Sequence, residues 1–419
     1  MSRSLLIQLA RLGDLIQSLP TISSLHSYFP DQPLDLLCAA PLVSLGRLFP
    51  GIQQVYPWEG ERWHALAITC NSIDTVEIDA AGRLLSDCGF PSYAMAYNLN
   101  NHPRGILAAH LLSTHVVGAG DQGPLKSTLP PWVEYLQKVA RERGTNRIHL
   151  ADAFCGLSGV KPPVVVPTIQ ACESGLPYDF AQIMNDSSLV RIGIVLGAGD
   201  VDRRVPLAMW RRLIETCVDH LPHCLCVLIG GTGEREAALA LEDQFSPQYL
   251  SRILNCVGRT TLPQLAHVFN RCQWVIGSDT GPLHLGVACG ARAIGWYFSR
   301  ARVHETGPYG VGHYVWQHQK SEIFKNKEAQ GLGQKQEFPC VWPVMETIQL
   351  MLDEQVGECS SEWNLWTSHR DEWGMFYTNG SKSDDMVLQR KETWERLPAL
   401  RSHQNALLMP REMMAGKSS

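Results

Sequence analysis

The sequence has little surplus charge. Its 419 residues carry 36 Lys and Arg against 41 Asp and Glu, a formal net charge of −5, so no global field gathers nucleic acid or anionic lipid. A local basic cleft is still allowed. Nowhere does the chain hold the roughly eighteen uncharged apolar residues that a spanning helix needs. The apolar run at residues 5–10 is broken by Arg11 and Asp14, with no small-residue cleavage site after it, which excludes a secretion signal and predicts a soluble, cytoplasmic protein. The 13 Cys include no Cys-x-x-Cys pair, and only Cys224 and Cys226 are close together. That spacing argues against a zinc site or a disulfide framework. Neither the G-x-G-x-x-G fingerprint nor the phosphate-loop lysine pattern occurs. Asp279-Thr280-Gly281 has no second Asp-Thr-Gly or Asp-Ser-Gly, whereas an aspartic protease needs two carboxylates sharing a proton.

What is present is alternation. At 45 % apolar the chain can fill two cores of ordinary size. Strand-like runs at residues 5–9, 34–38, 54–57, 75–78 and 93–99 alternate with helical patterns at 15–29, interrupted at Pro20, and at 41–49, 105–112 and 132–143. A second series follows a Pro-rich passage at 161–177: strands at 192–196 and 225–230, helices at 206–220, 234–245 and 262–269. Such alternation predicts two α/β, doubly wound parallel sheets facing a cleft. The divisions fall at 1–170 for the first Rossmann-like domain, 171–340 for the second, 341–356 for a closing helix, and 357–419 for a C-terminal appendage. The appendage carries Trp363, Trp366, Trp373, Phe376, Tyr377 and Trp394, too aromatic for a typical disordered linker. A helix is expected there around residues 386–396.

The densest pattern is at residues 271–296. A buried strand at 274–276, a turn at 277–281, a helix at 282–289 with Pro in its first turn and Gly290 at its end, and a return strand at 291–296 follow in order. A strand, a Gly-bearing turn and a helix N-terminus form an anion site, because the first N–H groups of the helix are unpaired and the dipole there is positive. Its side chains are Ser278, Asp279, Thr280 and His284. Taken alone, Asp279 could equally be a cap and His284 a half-buried helix residue. Two further glycine turns, Gly197-Ala198-Gly199 with Arg203 and Arg204 behind it, and Gly230 to Glu234, fall at the same sheet edge. Together they point to a nucleotide diphosphate. Asp14 sits where the first strand passes into the first helix, on the matching edge of the other half.

Four ordered segments carry a family resemblance: RLGDLIQSLPTI, GAGDVDRRVPLAMWRRLI, LIGGTGERE and VGRTTLPQLAHVFNRCQWVIGSDTGPLHLGVACG. Over residues 4–353 the chain resembles the ADP-heptose heptosyltransferases of lipopolysaccharide core synthesis. The resemblance implies a GT-B fold and inverting, metal-independent transfer of heptose from ADP-heptose, with no cofactor. It places the general base on Asp14 and nucleotide-sugar contacts on Ala198, Gly199, Glu234, Asp279, Thr280, Gly281 and His284, with Thr260 near the adenosine. The family's lysine before Trp-Pro is replaced by Arg203 and its Trp by Val205; arginine keeps the charge but is not a neutral exchange. The acceptor would be a lipopolysaccharide core hydroxyl, reached by peripheral contact with the inner membrane, with Arg104 and Lys126 as candidate acceptor contacts. A protein acceptor, a different nucleotide sugar, or a non-catalytic nucleotide-sugar binder are the alternatives, and the closing helix would pack back on the first domain.

Overall fold

A computed structural model describes residues 3–58, 89–120, 130–141, 146–165, 168–171, 176, 178–319, 339–356, 361–380 and 383–397. The strand expected at 75–78, Lys126 and the loop expected at 320–336 lie outside them. Leu5, Leu6 and Ile7 are fully buried because a central parallel strand is covered on both faces. They form the middle of β1 (Ser4–Gln8). Beside it lie β2 (Leu34–Ala39), β3 (Ile52–Trp58), β4 (Met95–Asn98) and β5 (Val116–Gly118), in the order β3-β2-β1-β4-β5 with every pair parallel. The first helical pattern becomes α1 (Leu12–Gln17) and α2 (Leu19–Tyr28). The break falls at Ser18, whose hydroxyl donates to the Leu15 carbonyl at 2.6 Å, and Pro20 sits in the first turn of α2, where its missing N–H costs nothing.

Helix α3 (Pro131–Arg141) follows the expected pattern. Next comes α4 (Leu150–Leu157), a short helix not expected from the sequence: residues 151–157 are buried on every side, and its Asp152 finds its partners inside the protein.

The second sheet is β6 (Val190–Val195), β7 (Cys224–Ile229), β8 (Ile253–Asn255), β9 (Trp274–Gly277), β10 (Arg292–Tyr297), β11 (Tyr314–His318), β12 (Trp363–Asp371) and β13 (Gly374–Thr378). Its order is β13-β12-β11-β10-β9-β6-β7-β8, parallel as far as β11 and antiparallel beyond it. Around it run α5 (Leu207–His220), α6 (Gly281–Ala288), α7 (Val344–Met351) and α8 (Ser383–Arg396).

Two expectations change here. The closing helix α7 packs on α5 of the second half, not on the first domain. Its Val344 and Ile348 share a buried cluster with Trp210 and Trp296, and the Trp296 indole N–H donates to Thr347 at 3.1 Å. Its apolar face is complementary to the second sheet. The aromatic segment after it is also no separate appendage: β12 and β13 extend that same sheet, as a Trp- and Thr-bearing stretch can. Trp342 links the two, with ring centroids 5.3 Å from Trp296 and 5.5 Å from Trp363. Helix α8, close to the expected bounds, crosses to the first half, where Trp394 meets Trp132 edge-on at 4.6 Å. There Arg147 also donates to Gln389 at 2.9 Å.

Candidate active site

Parallel strands end on one edge, so the loops after them converge. In the first half, β1 runs through Ala10 and Arg11 into α1. The Arg11 N–H donates to the Asp14 carboxylate at 3.2 Å, which fixes Asp14 in the first helical turn. Burial raises the pKa of Asp14 above its ordinary value, and the nearby charge of Asp279 adds to that. The Arg11 N–H and the charges of His284 and Arg11 offset it only in part.

In the second half, four loops reach the edge. After β9, Asp279 is 8 % exposed. Its Oδ1 lies 3.3 Å from His284 Nε2; Arg203 Nη1 donates to its carbonyl at 2.8 Å and stands 3.4 Å from Oδ2. Burial is the largest influence on this carboxyl and acts upward, yet the His284 bond and charge, Arg203 and Thr306 together hold its pKa below the ordinary value. Asp279 is therefore an ionised, fully engaged carboxylate that positions both His284 and Arg203. Arg203 also donates to Asp200 at 2.8 Å. After β7, the Gly231 N–H donates to Glu234 at 2.9 Å, and Arg204 stands 3.7 Å from the other carboxylate oxygen. A Cβ on Gly197 would lie 2.8 Å from Glu234 Cδ, so the turn after β6 must be glycine for Glu234 to fold across it.

Thr280 is the N-cap of α6 but makes no side-chain capping bond, and its buried Oγ1 has no hydrogen-bond partner. An uncapped helix start with a spare buried hydroxyl is suited to an incoming anion. The two halves meet tightly at this point. A Cβ on Gly281 would lie 2.8 Å from Leu12 Cγ, and one on Gly13 would lie 3.4 Å from His284 Cδ2.

Between them is a cleft of about 630 Å³. It is lined by Asp14 from one side and by Ala198, Gly199, Arg203, Glu234, Asp279, Thr280, Gly281 and His284 from the other. Thr260 is not among the lining residues; it stands just before the helix at Leu262–Asn270. Arg11, Leu150, Arg300, Glu305 and Thr306 also line the cleft and were not singled out from the sequence. Residues 300–306 follow β10, the neighbour of β9, so the convergence of loops at one sheet edge was the signal available. Leu150 begins α4, which had no such signal. Among the described residues no group of three or more His, Cys, Asp or Glu could hold a metal ion, and no helix among them is long and apolar enough to cross a membrane.

Comparison with known proteins bears on the fold and on part of the sequence pattern. The model of glycosyltransferase family 9 (heptosyltransferase) matches residues 133–333. No curated protein matches the chain in sequence. Among solved structures, a family 9 glycosyl transferase from Veillonella parvula is 18 % identical, with a TM-score of 0.65 over 84 % of this chain and 98 % of its own. The E. coli ADP-heptose lipopolysaccharide heptosyltransferase II is 18 % identical, with a TM-score of 0.54 over 74 % and 88 %. E. coli heptosyltransferase WaaC, solved with ADP, is 17 % identical, with a TM-score of 0.54 over 78 % and 98 %. At such identities the likeness to these structures is one of fold, the GT-B arrangement of two α/β halves about a cleft. Residues 133–333 thus carry the pattern of glycosyltransferase family 9 (heptosyltransferase) within that fold, which supports a glycosyltransferase.

Proposed function

We propose that the protein transfers heptose from ADP-heptose to a hydroxyl of a lipopolysaccharide core acceptor, with inversion and without a metal ion. The observation that carries this reading is the facing of Asp14 and the Asp279–His284 turn across one cleft. Two of the similar folds are an ADP-heptose heptosyltransferase and a heptosyltransferase holding ADP, which supports ADP-heptose as the donor.

In this mechanism the second half, residues 171–340, binds the donor and the first, residues 1–170, presents the acceptor. A hydroxyl is a weak nucleophile at neutral pH, and Asp14 accepts its proton as the oxygen attacks the anomeric carbon. The new carbon–oxygen bond forms on the face opposite the departing diphosphate, whose bond to the anomeric carbon breaks with its electron pair. ADP leaves with added negative charge, met by Arg203 and the N–H groups at the start of α6. Asp14 then releases its proton to water. The burial that raises the pKa of Asp14 makes it a better base than an exposed carboxylate. The reaction would take place in the cytoplasm, with the first half touching the inner membrane peripherally to reach the acceptor.

Calorimetric titration with ADP-heptose, UDP-sugars and GDP-sugars in EDTA tests the donor assignment. Selective binding of ADP-heptose is expected. Preference for another nucleotide overturns heptose transfer, and a requirement for metal overturns the metal-free account.

A further inference from the structure

The diphosphate end of the cleft holds a second guanidinium. A Cβ built on Gly199 would lie 3.7 Å from Arg203 Nη2 and 3.8 Å from Arg11 Nη1. The two cations thus flank one backbone position, and they arrive from opposite halves of the molecule. Their situations differ. Arg203 is bonded to Asp200 and Asp279, so two carboxylates balance its charge. Arg11 is exposed, and among the described residues its guanidinium makes no hydrogen bond or ion pair. Its backbone N–H donates to Asp14, and its charge reaches that carboxylate only as the smallest of the influences on it. An anion placed between Arg11 and Arg203 would be met by a guanidinium from each side.

We propose that Arg11 is a donor-binding residue: its guanidinium grips the sugar-proximal phosphate of the nucleoside diphosphate, opposite Arg203. This assignment rests on the nucleotide-sugar reading above and deepens it. Arg11 stands three residues before Asp14 on the same turn, so it faces the reacting end of the donor and not its nucleoside. Guanidinium presents two parallel N–H groups that match two phosphate oxygens. As the anomeric bond breaks, charge grows on the oxygen of that phosphate, and a cation already in place stabilises it without rearrangement. A further consequence is geometric. Because Arg11 belongs to the first half, the donor does not bind to the second half alone; its phosphate bridges both, and binding it draws the cleft together around Asp14.

The test titrates ADP and AMP into the full-length wild type, Arg11→Met and Arg11→Lys, with thermal midpoints measured for each. Arg11 is exposed, so its substitution leaves the midpoint in place. Loss of a charge-assisted phosphate contact lowers ADP affinity in Arg11→Met roughly ten- to a hundredfold. AMP, lacking the second phosphate, loses no more than about threefold, and Arg11→Lys recovers part of the ADP affinity because the charge is kept. Unchanged ADP binding by Arg11→Met, or equal losses for ADP and AMP, overturns the assignment while the donor reading stands. A wild type that binds neither nucleotide overturns both.

Discussion

The Asp152 carboxylate, on α4 of the first half, accepts a 2.7 Å hydrogen bond from the Tyr309 hydroxyl of the second. Its other oxygen accepts the Met375 N–H, also at 2.7 Å. One buried side chain therefore holds the segment before β11 and the β12–β13 hairpin against the first half. Gly374, at φ +101°, lies so close that a Cβ there would overlap the carboxylate. His149, one residue before α4, adds a parallel tie by its 2.7 Å bond to the Gly307 carbonyl.

Burial raises the pKa of Asp152 from 3.8 to about 7, against the bonds from Tyr309 and Met375 and the charges of Arg390 and Arg370. The folded chain thus binds this proton more tightly than the unfolded one. The stability it contributes is full below 3.8 and is lost as pH rises to about 7. Asp152→Asn keeps the shape and removes the proton. Urea unfolding across this window is expected to show the wild type losing stability relative to Asp152→Asn as pH rises; a constant difference contradicts the account. Asp152→Ala orphans two buried donors and is expected to cost about 2 kcal/mol or more.

At Gly281 the close approach of α6 to Leu12 leaves no space for a methyl group. Gly281→Ala is expected to push α1 and α6 apart and lower kcat/KM about tenfold or more, since small displacements of reacting groups are costly. Adding Leu12→Ala removes Cγ and Cδ2, two of the atoms it would strike, and should restore part of the activity. Full activity in Gly281→Ala would show that the contact does not set the geometry.

Arg203 acts as a fork, one nitrogen on Asp279 and the other on Asp200. A lysine keeps the charge but cannot hold both sites. Arg203→Lys should therefore lower kcat/KM about tenfold and Arg203→Met about a hundredfold, read from initial rates at subsaturating donor. Equal rates for Arg203→Lys and wild type would mean that charge alone suffices.

The parts legible in the sequence were those with local causes. Gly and Pro punctuation located the turn after β9 and the helix α6, and continuous apolar runs located the central strands. What stayed hidden depended on distant partners. Helix α4 is short and buried all round, and the partners of Asp152 and His149 lie more than 150 residues away, so neither gave a sign of joining the halves. Trp363 and Trp366 marked an ordered segment, but its pairing with β11 is settled by a neighbour nearly fifty residues earlier. For α7 the apolar face was readable, whereas its choice of α5 over the first domain rests on Trp210 and Trp296. Arg11 opens the RLGD segment, but its proximity to Gly199 shows only when the halves are assembled.

The reaction turns on Asp14, and its most direct test is ADP release from ADP-heptose with a lipopolysaccharide core precursor, in EDTA, for wild type and Asp14→Asn. The account predicts a kcat loss of roughly 10²- to 10⁴-fold with donor affinity nearly unchanged. It also predicts that the wild-type acid limb falls above the ordinary carboxylate range, because burial raises the pKa of Asp14. Asp14→Asn turning over at the wild-type rate would contradict it.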